Sequence, residues 1–205
     1  MTSTKTLSPP QAPGRPRTQG FTLVELMVTI AVAGIILTVG VPSFMSVING
    51  SRLTTTANDL LGDMAYARTE AMRRGQRVTI CTSNNTNVAN PTCTGTPWTD
   101  GWIIFEDLNR NTAFEAGETL LRVHEATPGN ITVTGTIDVA TMISYTQSGN
   151  TRLFGLAGAA QGGTIRVCMP VTSPVNNARD IVLDASGSGR AAVIPQDLGG
   201  ACPAP

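Results

Sequence analysis

The stretch from Phe21 to Val41 reads FTLVELMVTIAVAGIILTVGV, and its only charged residue is Glu25. As an α-helix these residues would extend about 32 Å, which is enough to cross the roughly 30 Å hydrocarbon core of a bilayer. The sequence therefore predicts a membrane-spanning helix at residues 21–41.

The residues before this helix set its expected orientation. Lys5, Arg15 and Arg17 precede the apolar stretch and no acidic residue accompanies them. By the positive-inside rule this end of the chain stays in the cytoplasm, and the residues after the helix lie on the far side of the membrane. A secretory signal peptide is the alternative, but the apolar stretch is too long for one, contains Glu25 and lacks a clear small-residue cleavage site.

Glu25 needs a partner, because an ionised carboxylate inside a membrane helix is costly and usually marks function. The next basic residue along the chain is Arg52, about 40 Å further along an unbroken helix. We therefore expect the counter-ion to come from another chain or from a newly made N-terminus.

The string Gly20-Phe21-Thr22-Leu23-Val24-Glu25 resembles the processing site of type IV prepilins and type II secretion pseudopilins. The resemblance implies that a prepilin peptidase removes residues 1–20 as a leader and that the new terminal Phe21 is N-methylated. It also implies that Glu25 neutralises the N-terminal amine of a neighbouring subunit during assembly. An ordinary single-pass anchor would leave both Gly20-Phe21 and the buried carboxylate unexplained.

The chain after Val41 divides into a second helical stretch and a β-rich region. Pro42 lies where many pilins have a helix-kinking proline. Residues 42–75 are predicted to be an amphipathic helix that ends at Gly75. Its apolar residues recur at three- and four-residue spacings: Leu53, Ala57, Leu60, Leu61, Met64, Ala65, Ala71 and Met72.

Residues 76–205 contain short apolar runs separated by Asn-, Gly- and Pro-rich connections, which predict strands of antiparallel sheet. The predicted strands are Arg77–Cys81, Trp102–Glu106, Leu120–His124, Ile131–Thr134, Met142–Tyr145, Arg152–Phe154, Thr164–Cys168, Asp180–Leu183 and Arg190–Ile194.

Two strings in this region carry a second resemblance. WTDGWIIFEDLN at residues 98–109 and GETLLR at residues 117–122 look like the FimT/FimU minor pilins and the GspH pseudopilins. The expected fold is therefore α+β and pilin-like. A long N-terminal helix, half transmembrane and half amphipathic, packs on one or two antiparallel β-sheets.

The cysteines indicate disulfides in an oxidising compartment outside the cytoplasm. Cys81, Cys93, Cys168 and Cys202 form no CxxC pair and the chain has a single His, which disfavours a zinc site. Four cysteines allow three pairings. We favour the sequential pairing, Cys81 with Cys93 and Cys168 with Cys202, in which each bridge contributes about 3 kcal/mol.

One acidic segment has the spacing of a calcium-binding loop. It places oxygen-bearing side chains at positions 1, 3, 5, 9 and 12, although Thr112 stands where such a loop favours glycine. The alternative is a solvated acidic turn whose oxygens cap backbone groups. No other cofactor is expected, and the candidate Ca²⁺ ligands are Asp107, Asn109, Asn111, Glu115 and Glu118.

A DNA-binding site is a further hypothesis. Some FimT-type minor pilins bind DNA through a Gly-Arg-x-Arg motif, and the sequence GRAA at residues 189–192 resembles it without the second arginine. Phosphate binding depends on summed charge, so Arg190 would need Arg152, Arg166 or Arg179 nearby. The alternative is a hairpin turn built from residues 186–189.

These observations predict a structural subunit and not an enzyme, since His124 is the only histidine and the cysteines are expected to be bridged. The favoured function is that of a minor pilin helping to initiate or cap a type IV pilus. The alternatives are a GspH-type pseudopilin of type II secretion and a DNA receptor at the pilus tip. The expected partners are other pilins, the prepilin peptidase and the inner-membrane assembly platform, and the expected location is the inner membrane and then the cell surface.

Overall fold

The computed structural model describes residues 20–153 and 158–205. The predicted leader, apart from Gly20, lies outside the described residues, and so does Phe154 at the end of one predicted strand. The chain divides into two compact units between Pro42 and Ser43.

A single long helix, α1, runs from Leu23 to Arg74. Thr22 caps its start, because its Oγ1 accepts a hydrogen bond from the Glu25 backbone N–H at 3.2 Å. Gly75 ends the helix with a φ of 65°, a left-handed conformation that glycine adopts without steric cost. The predicted helix at residues 21–75 thus differs from α1 by two residues at the start and one at the end.

The last turn of α1 is held by a group of ion pairs. Arg73 and Arg74 both bond Glu70, at 2.6 and 2.7 Å, and Arg74 also reaches Glu106 at 3.3 Å. The hydrogen bonds from Arg73 and Arg74 lower the pKa of Glu70 to about 2. These cations lie at the negative end of the helix dipole, where positive charge is favourable.

The described residues between 78 and 196 form two four-stranded antiparallel sheets. The first has the order β3-β2-β1-β5 and the second the order β4-β6-β7-β8. The strands are β1 Val78–Thr82, β2 Trp102–Glu106, β3 Leu120–His124, β4 Thr132–Gly135, β5 Met142–Tyr145, β6 Gly163–Cys168, β7 Ala178–Leu183 and β8 Ala191–Gln196. Two short 3₁₀ helices, Trp98–Asp100 and Ile137–Val139, lie in the connections.

The core of the second unit lies where α1 meets both sheets. The helix contributes a stripe of buried side chains at three- and four-residue spacings: Leu53, Ala57, Leu60, Met64, Ala67 and Ala71. The amphipathic pattern therefore predicted the buried face, with two exceptions. Ala65 and Met72 are exposed, and Ala67 occupies the buried position that was not predicted.

Most strand predictions agree with the structure. β2, β3 and β5 have the predicted bounds, and β1, β4, β6, β7 and β8 differ by one or two residues at their ends. The predicted strand at Arg152–Phe154 is wrong over its described residues, where Thr151 and Arg152 form isolated bridges with Tyr145 and Ala160. Successive residues bond different segments, so no continuous ladder forms: the Arg152 N–H bonds the Ser144 carbonyl at 3.1 Å, whereas the Leu153 N–H bonds the Ala159 carbonyl at 3.0 Å.

Candidate functional site

The first unit presents an apolar helical surface with one acid near its beginning. The side chains of Leu23, Ile35 and Leu37 are more than half exposed, as are most other large apolar side chains of this stretch. Added Cβ atoms at Gly34 and Gly40 would meet no other atom within 4 Å. Within the described residues α1 is the one helix long and apolar enough to span a membrane. None of the residues in its apolar membrane-spanning stretch is buried.

The predicted processing and assembly residues lie at the start of this surface. Gly20 and Phe21 precede α1, and Phe21 is 78% exposed. Glu25 is in the first helical turn and is exposed, and its carboxylate forms no ion pair with any residue that the structure describes. A carboxylate at this end of a helix also interacts favourably with the helix dipole.

The candidate calcium loop connects β2 to β3 at the edge of the first sheet. Phe114 anchors its middle by packing on Phe105, with ring centroids 5.5 Å apart. Arg110 and Thr112 have φ values of 63° and 61°, the left-handed region that non-glycine residues rarely adopt. The loop therefore curls tightly over the outer face of the sheet.

Asp107 at the start of the loop is fully buried. Its Oδ2 accepts hydrogen bonds from the Thr79 hydroxyl at 3.0 Å and from the Thr112 N–H at 3.2 Å. Its Oδ1 is also buried and has no hydrogen-bond partner. A buried carboxylate oxygen without a donor is unfavourable, so this atom requires an explanation.

The remaining loop oxygens bond groups within the loop. Glu118 accepts the N–H groups of Leu108 and Glu115 at 3.0 and 3.1 Å, and Glu115 accepts the Asn109 amide at 3.0 Å. The side-chain Oδ1 of Asn111 accepts the N–H of Ala113 at 2.8 Å. Among the described residues no three His, Cys, Asp or Glu side chains cluster as a metal site would require, so the carboxylates alone do not form one.

The predicted DNA-contacting Arg190 follows a tight turn between β7 and β8. Gly189 has a φ of 71°, and a Cβ there would collide with the Gly149 carbonyl oxygen, so this turn requires glycine. Asp184 lies beside Arg190, and hydrogen bonds from Ser186 and Ser188, together with that arginine, lower the pKa of the Asp184 carboxyl. The turn geometry explains the glycine without reference to a ligand.

The other arginines expected to assist Arg190 bond other groups. Arg166 forms a two-point ion pair with Asp180 at 2.7 and 2.8 Å. Arg179 donates to the carbonyls of Asn176 and Ala178, and Arg152 to that of Thr151. No cluster of uncommitted arginines therefore forms around Arg190 in the described part of the chain.

The four cysteines form two disulfides, Cys81–Cys93 and Cys168–Cys202. This is the sequential pairing that the sequence analysis favoured. The first closes the loop after β1, and the second ties the end of β6 to the C-terminal tail. Both stabilise the second unit by restricting its unfolded chain.

A buried polar connection between α1 and the first sheet was not predicted from the sequence. Asp63 is 3% exposed and accepts the indole N–H of Trp102 at 2.8 Å and an Arg122 N–H at 2.6 Å. His124 stacks on Trp102 with a centroid distance of 3.8 Å, so it packs as a strand residue. No local signal distinguishes Asp63 from the exposed Asp59, because its partners are 39 and 59 residues away in the chain.

Another buried polar group was also missed. Gln161 is 1% exposed, accepts the Ser144 N–H at 2.9 Å and donates to the carbonyls of Asp138 and Met142 at 2.8 and 2.9 Å. It joins the connection before β6 to β5. This amide is fully engaged in structure and is not available to a ligand.

Comparison with known proteins gives two family-model matches. Residues 15–41 match the prokaryotic N-terminal methylation motif, and residues 56–187 match the family described as type II transport protein GspH. No curated protein matches the chain in a sequence search.

The fold is similar to that of a solved minor pilin. A crystal structure of the type IV minor pilin FimU from Pseudomonas aeruginosa PAO1 aligns with a TM-score of 0.51 and 18% identity over 71% of this chain and 90% of that one. Another crystal form of FimU has a TM-score of 0.48 and 19% identity, over 70% and 93% of the two chains. At this identity the first likeness describes the fold alone.

The methylation motif together with the exposed apolar helix indicates a membrane-anchored pilin. The GspH match covers more than half of the chain, including the last third of α1 and the seven strands β1 to β7. The chain therefore belongs to the GspH family of pilin-like proteins.

Proposed function

We propose that this protein is a minor pilin, a structural subunit that helps to initiate or cap a type IV pilus. The observation that carries the proposal is the apolar surface of residues 23–41, whose large apolar side chains are exposed wherever the structure describes them and whose single acid is Glu25. Such a surface requires a lipid environment or the apolar helices of other subunits. A filament core built from packed helices supplies the second environment after the membrane supplies the first.

Glu25 would determine how the subunits assemble. In a water-excluded helix bundle an ionised carboxylate needs a nearby positive charge. Cleavage between Gly20 and Phe21 would create an N-terminal amine on each subunit, and a neighbour's amine would then pair with Glu25. Gly34 and Gly40 would allow close approach of adjacent helices, since small residues favour helix packing where the hydrophobic effect is absent.

The proposed route begins in the inner membrane. The chain would insert once, with its N-terminus in the cytoplasm and the β-rich unit in the periplasm, where its disulfides can form. Prepilin peptidase would then remove the leader, and the assembly platform would pass the subunit into the filament beside other pilins. The mature N-terminus is measurable by mass spectrometry, and a chain that begins at Met1 or beyond Val41 would contradict this route.

The Glu25→Gln variant tests the assembly step. We expect normal amounts of the variant in the membrane but at least about a tenfold loss from sheared filaments, because an interaction of about 1.4 kcal/mol already gives that factor. Thr38→Val is the matched control. It removes a polar group of the same segment whose hydroxyl bonds only the Ile35 carbonyl, at 2.8 Å. Equal incorporation of the Glu25 variant and the control would contradict the pairing.

The second candidate function is that of a pseudopilin of type II secretion. The match to the GspH family model favours this function, because the description of that family is "type II transport protein". The two functions differ in which machinery the protein requires. Removal of the pilus assembly machinery should abolish surface recovery of a minor pilin, whereas loss of this protein should block secretion of exoproteins if it is a pseudopilin.

DNA binding at the pilus tip is the weaker proposal and rests on Arg190. A gel-shift measurement with the purified protein at graded salt concentrations tests it. Retardation at low salt that is lost in Arg190→Ala would support a site in the β7–β8 turn. No retardation at low salt would end the proposal, and Arg179→Ala provides a control for general loss of charge.

A further inference from the structure

A groove of about 540 Å³ runs beside the second part of α1 and is called here the α1–β8 groove. It is lined by side chains of α1 between residues 61 and 72, by Tyr145 of β5 and by residues 189–191 at the start of β8. Arg68 and Arg190 are its charged lining residues, and none of the described residues that line it is acidic. The groove therefore carries two positive charges on an otherwise neutral and largely apolar lining.

Arg68 is a half-buried cation without a counter-ion in the described part of the chain. Its Nε is buried and has no hydrogen-bond partner, and its side chain forms no ion pair there. The α1 positions from which an acid could pair with it are occupied by Met64, Ala65, Ala71 and Met72. A guanidinium that is partly removed from water without an opposite charge is unfavourable. Arg68 can therefore gain from an anion that its own chain does not supply.

Close backbone approaches bring Arg68 and Arg190 to the same groove. A Cβ added to Gly149 would lie 3.1 Å from the Arg68 Nε, so this side chain lies against the turn after β5. A Cβ added to Gly189 would collide with the Gly149 carbonyl oxygen and would lie 3.2 Å from Cε1 of Tyr145. Arg190 directly follows Gly189 in the chain. The two arginines therefore come from the two sides of the contact between Gly149 and Gly189.

Tyr145 adds a neutral donor to the lining of the groove. The side chain is almost completely buried, and burial raises the pKa of its hydroxyl, while the nearby Arg68 lowers it to a smaller extent. The hydroxyl therefore keeps its proton at physiological pH. A phenol that remains protonated beside a guanidinium can donate a hydrogen bond to an anion.

Asp184 is an acid near Arg190 that does not line the groove. Its carboxylate accepts the Ser186 N–H at 2.9 Å and the Ser188 hydroxyl at 2.7 Å, and it forms no ion pair with Arg190 within the described residues. Those two bonds and, to a smaller extent, Arg190 lower the pKa of Asp184. Arg190 is therefore partly compensated, and Arg68 is the principal cation of the groove.

The lining suits a carboxylate that is attached to an apolar stem. Guanidinium N–H groups match the two oxygens of a carboxylate in charge and in geometry. Leu61, Met64 and Met72 supply apolar surface beside them, which the methylene groups of an acidic side chain can cover. In a filament the β-rich units of adjacent subunits surround the helices, so such a side chain would be available from a neighbour.

We propose that the α1–β8 groove receives an acidic side chain of a neighbouring filament subunit, with Arg68 as its ion-pair partner and Tyr145 and Arg190 beside it. This inference rests on the proposed function, because it requires a filament. The contact would fix how the β-rich units of adjacent subunits meet, whereas the pairing of Glu25 would act between their apolar helices.

Photochemical crosslinking in assembled filaments tests the contact. A benzophenone amino acid replaces Thr69, which lines the groove, or Thr54, which is a matched control. Both threonines are exposed, and each hydroxyl bonds the carbonyl four residues earlier, at 2.8 and 2.9 Å. We expect the probe at Thr69 to link a segment of another subunit that contains Asp or Glu, identified by mass spectrometry. The probe at Thr54 should not link that segment.

Charge variants test whether Arg68 holds the partner. Arg68→Gln should lower the yield of the Thr69 crosslink at least about fivefold, because it removes one member of a charge pair. Arg68→Lys, which keeps the charge, should retain more of the yield than Arg68→Gln. Arg52→Gln is the control, since Arg52 is an exposed arginine of α1 outside the groove, and it should leave the yield unchanged.

The partner's acid gives a test that does not depend on the folding of the Arg68 variant. Its replacement by the corresponding amide, with Arg68 intact, should cause the same loss of crosslink. Arg68→Glu combined with an arginine in place of that acid should restore the yield. An unchanged yield in the amide variant, or failure of the exchanged pair to exceed Arg68→Glu alone, would overturn the proposal.

The amount of protein in sheared filaments separates this inference from the proposed function. A wild-type chain that is absent from filaments would contradict the minor-pilin role and this inference with it. A Thr69 probe that enters filaments but links no acidic segment of another subunit would overturn the groove contact alone. In the gel-shift measurement, DNA retardation that is lost in Arg68→Gln would make the groove a phosphate site and would overturn the assignment to a carboxylate.

Discussion

The two parts of α1 have the same backbone conformation and opposite surfaces. Between Leu23 and Val41 the apolar side chains are distributed around the helix and are exposed, with Leu37 at 61%. Between Leu53 and Ala71 one apolar stripe is buried, with Leu60 at 0%. A continuous apolar surface suits a helix whose whole circumference meets lipid or other helices, whereas a stripe suits a helix that covers one core.

The difference shows that helix formation and helix burial are encoded separately. Both parts are rich in residues compatible with a helix, and α1 continues through Pro42. What changes is the spacing of the polar residues: after Arg52 the apolar residues recur every three or four positions, and polar residues occupy the positions between them. Matched substitutions in the two parts of α1, or on its buried and exposed sides after Arg52, therefore measure the contribution of burial to stability. The secondary structure is the same at both positions of each pair.

Leucine truncation should separate the two parts most strongly. We expect Leu60→Ala to lower the free energy of unfolding of the second unit by about 3 kcal/mol, because it leaves a cavity in the core. Leu37→Ala should change it by less than about 0.5 kcal/mol. Urea unfolding of the full chain in detergent can follow the fluorescence of Trp98 and Trp102, the only two tryptophans. Similar losses in both variants would contradict the separation.

The next largest effect should come from acids on the two sides of the second part of α1. Asp63→Ala leaves the buried Trp102 N–H without its acceptor and should cost about 2 kcal/mol. Asp59→Ala is the control, since that side chain is 49% exposed and lies 4.0 Å from His124. It should cost less than about 0.5 kcal/mol by the same measurement. Comparable losses would mean that the Asp63 contacts contribute nothing beyond surface charge.

The smallest effect should distinguish two alanines that differ only in position. Ala67 is fully buried and Ala65 is exposed. We expect Ala67→Leu to cost about 1–2 kcal/mol through overpacking, and Ala65→Leu to have an effect within about 0.5 kcal/mol. Denaturant midpoints of the two variants check this, and the reverse order would mean that Ala65 rather than Ala67 lies on the buried stripe of α1.

The sequence predicted those features that depend on local pattern. β2, β3 and β5 are dense apolar runs next to turn residues, and their bounds agree with the structure. The strand predicted at Arg152–Phe154 was wrong over its described residues because Arg152 bonds Ser144 while Leu153 bonds Ala159, so that no two successive residues pair with the same segment. The prediction of burial at Ala65 and Ala67 failed for another reason, because alanine has too little apolar surface to indicate whether it is buried.

The candidate sites divide in the same way. The assembly role of Glu25 follows from a family resemblance and stays a prediction. The disulfides and the calcium-like order of oxygens in the loop between β2 and β3 could be inferred from residue type and spacing. The burial of Asp107 could not, because it depends on Thr79, which lies 28 residues earlier in the chain. At Gly189-Arg190 the sequence pattern suggested a function that the structure does not require. The motif resembles a DNA contact, but the close approach of Gly189 to Gly149 already explains the glycine.

The bridges Cys81–Cys93 and Cys168–Cys202 impose an order of events on biogenesis. In the proposed topology a thiol-oxidising catalyst can act only after the polypeptide has been exported, and extraction of the subunit would then follow oxidation. In that topology the supply of competent subunits would depend on envelope redox capacity, and reductive stress would limit fibre growth at the level of its building blocks.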